Sequence, residues 1–306
     1  MLFGIFALIV SGMSWVLVGA VMGAAPKKNV SAAAVQLYGA LVAILVGVIL
    51  LLVLPGSTHP LEIIKNWNWF LAAYLVSGFT NCIGMSLMSD AMQKGPNGIV
   101  WTIIQSAMIY PFAIGIIFFD VHGSLIRYCG MAVILTALLL FGLGKDNKVS
   151  TATSGNWKLP AFLGWLVIGV QQNMHILPSY FEAGRAISPI ARAIFTSAGI
   201  MVCALLMMCF IRQQRAPVRE SFANKYFWIF VFGLQSVGLT VTYLLQFPGI
   251  DAMAKHGLGN ASYPVMVSSC LIAFFMYSTI FLREKVRAIS VAALLCCLAG
   301  IVMICL

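Results

Sequence analysis

Charge is scarce in this sequence. Only 8% of its 306 residues are Asp, Glu, Lys or Arg, while 61% are hydrophobic. An ordinary soluble domain carries roughly 25% charged residues. A chain this poor in charge cannot cover a water-facing surface, so lipid must be its solvent. In lipid every backbone N–H and C=O has to be satisfied internally, which leaves helices and closed barrels. The apolar runs are long and continuous rather than short and alternating, so an all-α membrane protein is expected.

Acid is scarcer still. The eight acidic residues are Glu62, Asp90, Asp120, Asp146, Glu182, Glu220, Asp251 and Glu284. Each falls at the end of an apolar run or in a connection, and none at a run's centre. Export of cationic drugs against protons needs a buried carboxylate that titrates, so this pattern disfavours a proton-coupled drug exporter. Catalytic signatures are also missing. No HxxxD, GxSxG or HExxH occurs, and the four histidines, His59, His122, His175 and His256, lie far apart. An integral membrane enzyme is therefore the weaker reading, and no catalytic residue is assigned. The absence of GxxxxGK[ST] disfavours an ATP-driven pump within the chain. Eight cysteines lie inside apolar runs with no CxxC pair. They read as small packing residues, with no metal and no cofactor expected.

The 18 basic residues sit in short connections and give a net charge of +10. No basic stripe interleaves with aromatics, so nucleic acid is not an expected partner. Cationic connections are what membrane insertion requires.

About ten apolar runs are present, each long enough to span a bilayer. They cover roughly 2–24, 31–54, 68–92, 97–119, 124–144, 159–182, 187–211, 226–250, 258–282 and 287–306. The first begins at Leu2 without a basic leader and reads as a retained helix rather than a cleaved signal. Pro26-Lys27-Lys28-Asn29, Pro55-Gly56-Ser57 and Gly95-Pro96-Asn97 mark early connections. The most polar connection, 145–158, falls near the middle. It divides the chain into a first five-helix repeat (1–146), a polar linker (147–157) and a second five-helix repeat (158–306). Trp67, Trp69, Trp157 and Trp228 stand at run starts, where an interfacial aromatic belt is expected.

The halves look related. Asp90-Ala91-Met92-Gln93-Lys94 recurs 161 residues later as Asp251-Ala252-Met253-Ala254-Lys255. Each copy ends a long run and is followed by a glycine, Gly95 or Gly257. Five helices per half is an odd number, so the second half must insert upside down. That is the inverted-repeat plan of many secondary transporters. Loop charge agrees with it. With the N-terminus outside, 13 of the 18 basic residues fall on the inner side, including Lys27, Lys28, Lys94, Arg219 and Lys225. Five fall outside: Lys65, Arg127, Arg185, Arg192 and Lys255. Both termini are expected outside.

In these features the chain resembles the drug/metabolite transporter (DMT) superfamily, in particular its EamA-type members. Besides the ten helices in two repeats, each half closes with an apolar helix ending in an acid, a short basic loop and a glycine-containing last helix. Here this reads Phe281-Leu282-Arg283-Glu284-Lys285-Val286, then 292–306 with Gly300. The first half departs from the pattern, with Asp120 where the family usually has Glu, followed by Val121-His122-Gly123. A sugar-uptake branch has a similar opening, Gly4-Ile5-Phe6 leading to Pro26-Lys27-Lys28. The resemblance implies a secondary transporter, a monomer or homodimer, in a membrane of the bacterial inner type.

Polar groups at mid-membrane depth are costly, so each is a functional candidate. Gln171, Gln172, Asn173 and His175 form the densest cluster, in the sixth run. Helical spacing puts Gln171, Gln172 and His175 on one face, with Glu182 seven residues beyond. Pro178 can open the backbone ladder there. Single amides in membrane helices often only bridge neighbours. Three amides and a histidine within five residues favour a solute pocket. Asn81, Gln105, Gln235, Tyr243, Tyr263 and Trp15 are the other candidates for the same cavity. Such a set suits a small neutral or zwitterionic metabolite, sugar-like or amino-acid-like. Arg185 and Arg192 are the only basic groups near enough to pair a charge. His175 is the candidate carrier of a coupling proton, since imidazole titrates near neutrality.

Overall fold

The computed structural model describes residues 1–25, 28–53, 69–95, 97–119, 121, 123–144, 156–211, 215–235, 241–280 and 287–306. Most of the polar linker, Asp120, His122 and the 281–286 closing motif lie outside the described residues. Helices account for the described fold, with no strand among those residues. We number the principal helices α1 (Leu2–Ala24), α2 (Ala32–Val53), α3 (Trp69–Lys94), α4 (Asn97–Gln105), α5 (Ile109–Phe118), α6 (Leu125–Gly144), α7 (Lys158–Ile176), α8 (Pro189–Phe210), α9 (Phe247–Lys255), α10 (Ser262–Ile280) and α11 (Ala288–Cys305).

Eight helical stretches are long and apolar enough to cross a membrane: Leu2–Met22, Ala32–Val53, Trp69–Lys94, Ile99–Phe118, Leu125–Leu143, Pro189–Phe210, Gly259–Tyr277 and Ala288–Cys305. The chain is thus a multi-pass helical membrane protein. Its polarity is inverted relative to a soluble bundle. The least apolar of these spans, Gly259–Tyr277, is 72% buried, and the most apolar, Ala288–Cys305, only 22%. Leu45, Ile49, Phe118, Phe162, Phe210 and Val302 point outward, while Ser77, Gln172, Ser268 and Ser269 are interior. Lipid solvates the former, and the protein supplies partners for the latter.

Two further stretches are less regular. The amide-bearing α7 ends at Ile176, and Leu177–Tyr180 continues as a 3₁₀ turn around Pro178. The expected eighth run is no uniform helix. It begins at Lys225–Trp228, widens into π-helical turns at Ile229–Gln235 and Thr242–Gln246, and ends in α9. The prolines explain part of the irregularity. Pro111 cannot donate to the carbonyl four residues earlier, and the 3₁₀ turn Ser106–Met108 breaks the fourth run there. Pro264 sits in the first turn of α10, and Pro248 follows directly on the π-helical turn Thr242–Gln246, where its missing N–H falls at the change from π- to α-helix.

The packing follows a simple rule. α6 lies along α11, and α2 along α8. α1 packs on α10, and α7 packs on α4 and α5. α3 packs on α7, and α1 packs on α9. Taken as ten runs in order, each of these pairings maps onto itself or onto another when the halves are exchanged. Glycines mark the closest approaches. At the α6–α11 crossing, a Cβ on Gly300 would lie 3.1 Å from the Gly130 carbonyl oxygen, and one on Gly130 would lie 3.2 Å from that of Gly300. Gly12 on α1 admits the Met266 backbone of α10, and Gly169 on α7 admits the Tyr110 ring of α5.

Connections sort to two ends of the bundle. At one end the Asn224 amide donates to the Lys28 carbonyl oxygen (2.7 Å), the Ser31 N–H donates to Ser221 (2.8 Å), and Gly95 lies against Trp157. At the other end the Met1 amine is 3.4 Å from His256, Phe119 stacks on Tyr180 at 4.1 Å, and Trp69 packs on Phe181. Ile304 contacts Gly130 near the start of α6, so both termini lie at this second end. The two repeat-related glycines differ in their work. Gly257 caps α9 in the left-handed region (φ 70°), with Leu258 N–H donating to Met253 O and Gly257 N–H to Ala254 O. Gly95 instead makes room for the Trp157 ring.

Candidate functional site

The amide cluster on α7 divides between two faces. Gln171, Gln172 and His175 line a cavity at the centre of the bundle. Asn173 does not. Its side-chain N–H donates to Gly169 O in its own helix at 2.7 Å. Residues at i, i+1 and i+4 can share a face, whereas i+2 is turned some 200° away at about 100° per residue. Glu182 also fails to share the face. The helix has ended by Ile176, and Glu182 opens a separate short helix, Glu182–Arg185, where it is exposed.

The cavity encloses about 130 Å³, far more than the roughly 10–15 Å³ needed to hold one water. Six of the residues expected from the sequence line it: Trp15, Asn81, Gln105, Gln171, Gln172 and His175. They come from α1, α3, α4 and α7, and sequence separates them by up to 160 positions. Thr196 and Ile200 of α8 and Gln246 of the second π-helical turn complete the ring. Apolar walls come from Val18, Met85, Met88, Trp101, Ile104 and Ile168. These walls were not legible in the sequence, because an apolar side chain facing a cavity looks like one facing lipid or core. Asn173 and Tyr263 are buried outside the lining. The side chains of Gln235 and Tyr243 lie outside the described residues.

The polar groups are organised. Gln171 Nε2 lies 3.4 Å from His175 Nδ1. With the amide donating, Nδ1 accepts and the ring proton sits on Nε2. His175 Nε2, Gln172 Oε1 and Trp101 Nε1 are buried without a partner. Buried polar atoms are ordinarily paired; these three belong to residues of the cavity lining but are not themselves open to the cavity. Two nearby hydroxyls are committed to the scaffold. Ser77 Oγ donates to the Gln171 carbonyl (3.1 Å) and ties α3 to α7. Thr196 Oγ1 donates to Arg192 O at 2.9 Å, within its own helix.

Towards the end that holds the termini, aromatic rings close the cavity. His175 packs on Phe247 at 4.7 Å, on Tyr74 at 6.1 Å and on Tyr263 at 6.3 Å. Tyr263 also meets Trp15 at 6.0 Å. Beyond this layer lies Arg192, wholly buried. Its Nη1 and Nη2 grip the two carboxylate oxygens of Asp251 at 2.9 and 2.8 Å. Its Nε donates to Ile187 O (2.8 Å) and Nη2 to Arg185 O (2.8 Å). The Tyr74 and Phe247 rings lie 6.0 and 5.7 Å from the guanidinium carbon. Arg185 donates to Ser179 O at 2.9 Å. The guanidinium that the sequence offered to a charged solute is thus taken up by the protein. The second Asp-Ala-Met-x-Lys copy also behaves unlike the first. Asp90 pairs with Lys94 of the same helix (2.7 Å) and both are partly exposed, whereas Asp251 reaches across to α8.

Among the described residues no group of three or more His, Cys, Asp or Glu could hold a metal ion. No protein-family model matches the chain, and no curated protein matches it. Solved structures share its fold. A protein crystal structure aligns with a TM-score of 0.68 over 98% of this chain and 98% of its own, at 11% sequence identity. At that identity the likeness speaks to fold alone.

Proposed function

We propose that the protein is a secondary transporter that moves a small neutral or zwitterionic metabolite by alternating access around the central cavity. The observation that carries this reading is convergence. Six polar or aromatic residues from four apolar runs, singled out for their depth in the sequence, line one cavity. Transport sites lie near the midplane at the interface between repeats. The exchange-symmetric packing and the facing Gly130–Gly300 pair support ten spans arranged as two inverted repeats. So does the resemblance to EamA-type members of the drug/metabolite transporter superfamily. Proton-coupled export of cations is disfavoured, because no acidic residue lines the cavity among the described residues.

Gln172→Ala and His175→Ala are each expected to reduce transport to background while leaving a folded, membrane-inserted protein. The check is flux into vesicles reconstituted with equal amounts of each variant. Normal flux in both would remove the cavity from the mechanism.

The end of the bundle near Lys28, Lys94, Lys158 and Lys225 is the proposed cytoplasmic face, on loop charge. Both termini then face outward. A reporter fused after Leu306 is expected to be active only outside the cell, and activity confined to the cytoplasm would reverse the orientation.

A further inference from the structure

We infer that the segment 247–261 is the lid of the cavity on the side that holds the termini, hinged at the π-helical turn before it and latched by the Arg192–Asp251 pair. The structure then shows the state closed on that side. This rests on the reading of the central cavity as a transport site, and it gives that reading a moving part.

Local structure supplies the hinge. The π-helical turn Thr242–Gln246 runs directly into α9. Pro248 has no N–H to give the carbonyl four residues earlier, so the ladder is interrupted where the wide turn meets the α-helix. Helices bend at such interruptions. At the far end of the segment Gly257 takes the left-handed conformation that stops α9, and the chain turns back through Gly259–Ala261 into α10. A helix bounded by a π-turn and a glycine cap can tilt as a unit.

Latch and seal lie on the side of this segment that faces α3, α5, α7 and α8. Asp251 accepts two hydrogen bonds from Arg192 of α8. Phe247 packs on Tyr74 of α3 at 5.3 Å and on His175 of α7 at 4.7 Å. Asn260 and the Tyr180 hydroxyl both press on Gly115 of α5, and Tyr180 stacks on Phe119. The other side of the segment lies on α1, with Gly249 against Leu8 and Ala252 against Gly4.

Unmet polarity marks the seal as temporary. Both side-chain amide atoms of Asn260 and the hydroxyls of Tyr180 and Ser262 are buried without a partner. A permanent core pairs such atoms. Here water pairs them when the lid lifts. An ionic latch suits the same motion, because Arg192 and Asp251 regain hydration once parted. Of the two repeat-related acids only Asp251 is tied to another helix, since Asp90 pairs with Lys94 of its own.

The experiment measures access to Asn260→Cys in the full chain. A membrane-impermeant maleimide is applied to vesicles from the side that holds the termini, and labelling is read site by site by mass spectrometry. Native Cys82, buried in the contact of α2, α3 and α8, is the internal standard. Position 260 is expected to label at least about tenfold faster than Cys82, because the lid opens locally while the core does not. Arg192→Met/Asp251→Leu is expected to melt near the parent, yet to slow labelling at 260 and to lose flux, since an apolar pair resists being wetted. A pair with only a structural role would recover flux along with stability. Ser262→Cys is the second reporter should Asn260→Cys lower the melt. Labelling at both reporters no faster than at Cys82 overturns the lid, and so does wild-type flux in the double variant. Neither result touches the transport reading, which is decided by flux in Gln172→Ala and His175→Ala.

Discussion

Arg192→Met is expected to lose about 3–5 kcal/mol of stability, among the largest losses of any single substitution in this protein. The figure is that for removing one partner of a buried ion pair. Arg192 is fully buried and satisfies four acceptors: both Asp251 carboxylate oxygens and the carbonyls of Ile187 and Arg185. Methionine fills much of the same volume and donates to none of them. Asp251 is left as an uncompensated carboxylate with little exposure, which the low-dielectric surroundings penalise heavily. The double variant Arg192→Met/Asp251→Leu removes both charges. It is expected to recover most of the loss, because a buried pair adds little over an apolar pair of similar shape. Reversible unfolding in mixed micelles measures both. A single variant as stable as the parent, or a double variant no better than the single, would show that the pair does not hold α8 to α9.

The second large effect reverses an ordinary expectation. In an open helix, Gly→Ala stabilises by about 1 kcal/mol, since alanine is the best helix former. At Gly78 and Gly199 the same change is expected to destabilise by about 1–3 kcal/mol or more. These glycines lie where α3 crosses α8. A Cβ on Gly78 would strike the Thr196 carbonyl oxygen and approach Ile200 N at 3.0 Å. A Cβ on Gly199 would strike Leu75 O and come to 2.8 Å from Phe79 N. The obstacles are backbone, not side-chain ends that could swing aside, so the helices have to part. α3 carries Asn81 and Met85, and α8 carries Thr196 and Ile200, all on the cavity wall. Gly78→Ala and Gly199→Ala should therefore lose transport along with stability, each seen as a lower melt and reduced flux at equal protein. A melt at or above the parent's would mean that the crossing is looser than described.

Much of the site was readable from residue type and depth. An amide or imidazole in mid-membrane is expensive, so Gln171, Gln172 and His175 stood out, and helical spacing put those three on one face. The same spacing places Asn173 off that face, where it bonds its own helix. Glu182 was misplaced because a seven-residue interval implies a common face only while the helix continues, and the turn at Pro178 ends it. Trp101, Met88 and Ile200 gave no signal, since an apolar residue costs nothing wherever it points in a membrane. Arg192 was visible as a charge near one end. Its partner was not, because the repeat linked Asp251 to Asp90, and the structure pairs it with another helix instead.

Composition by itself determined the solvent. A chain with 8% charged residues must live in lipid, and lipid demands helices, so class and approximate spans follow from backbone hydrogen bonding alone. Which helices touch was decided only by tertiary structure. The apolar drive that orders a soluble core is absent between helices already in hydrocarbon. Association depends instead on where backbones can approach, at Gly12, Gly78, Gly130, Gly199 and Gly300, and on which buried polar groups find partners. Those depend on shapes presented by segments more than a hundred residues apart. The same close approaches leave a central space, and its lining brings together Trp15, Asn81, Gln105, Gln171, Gln172 and His175 from four helices.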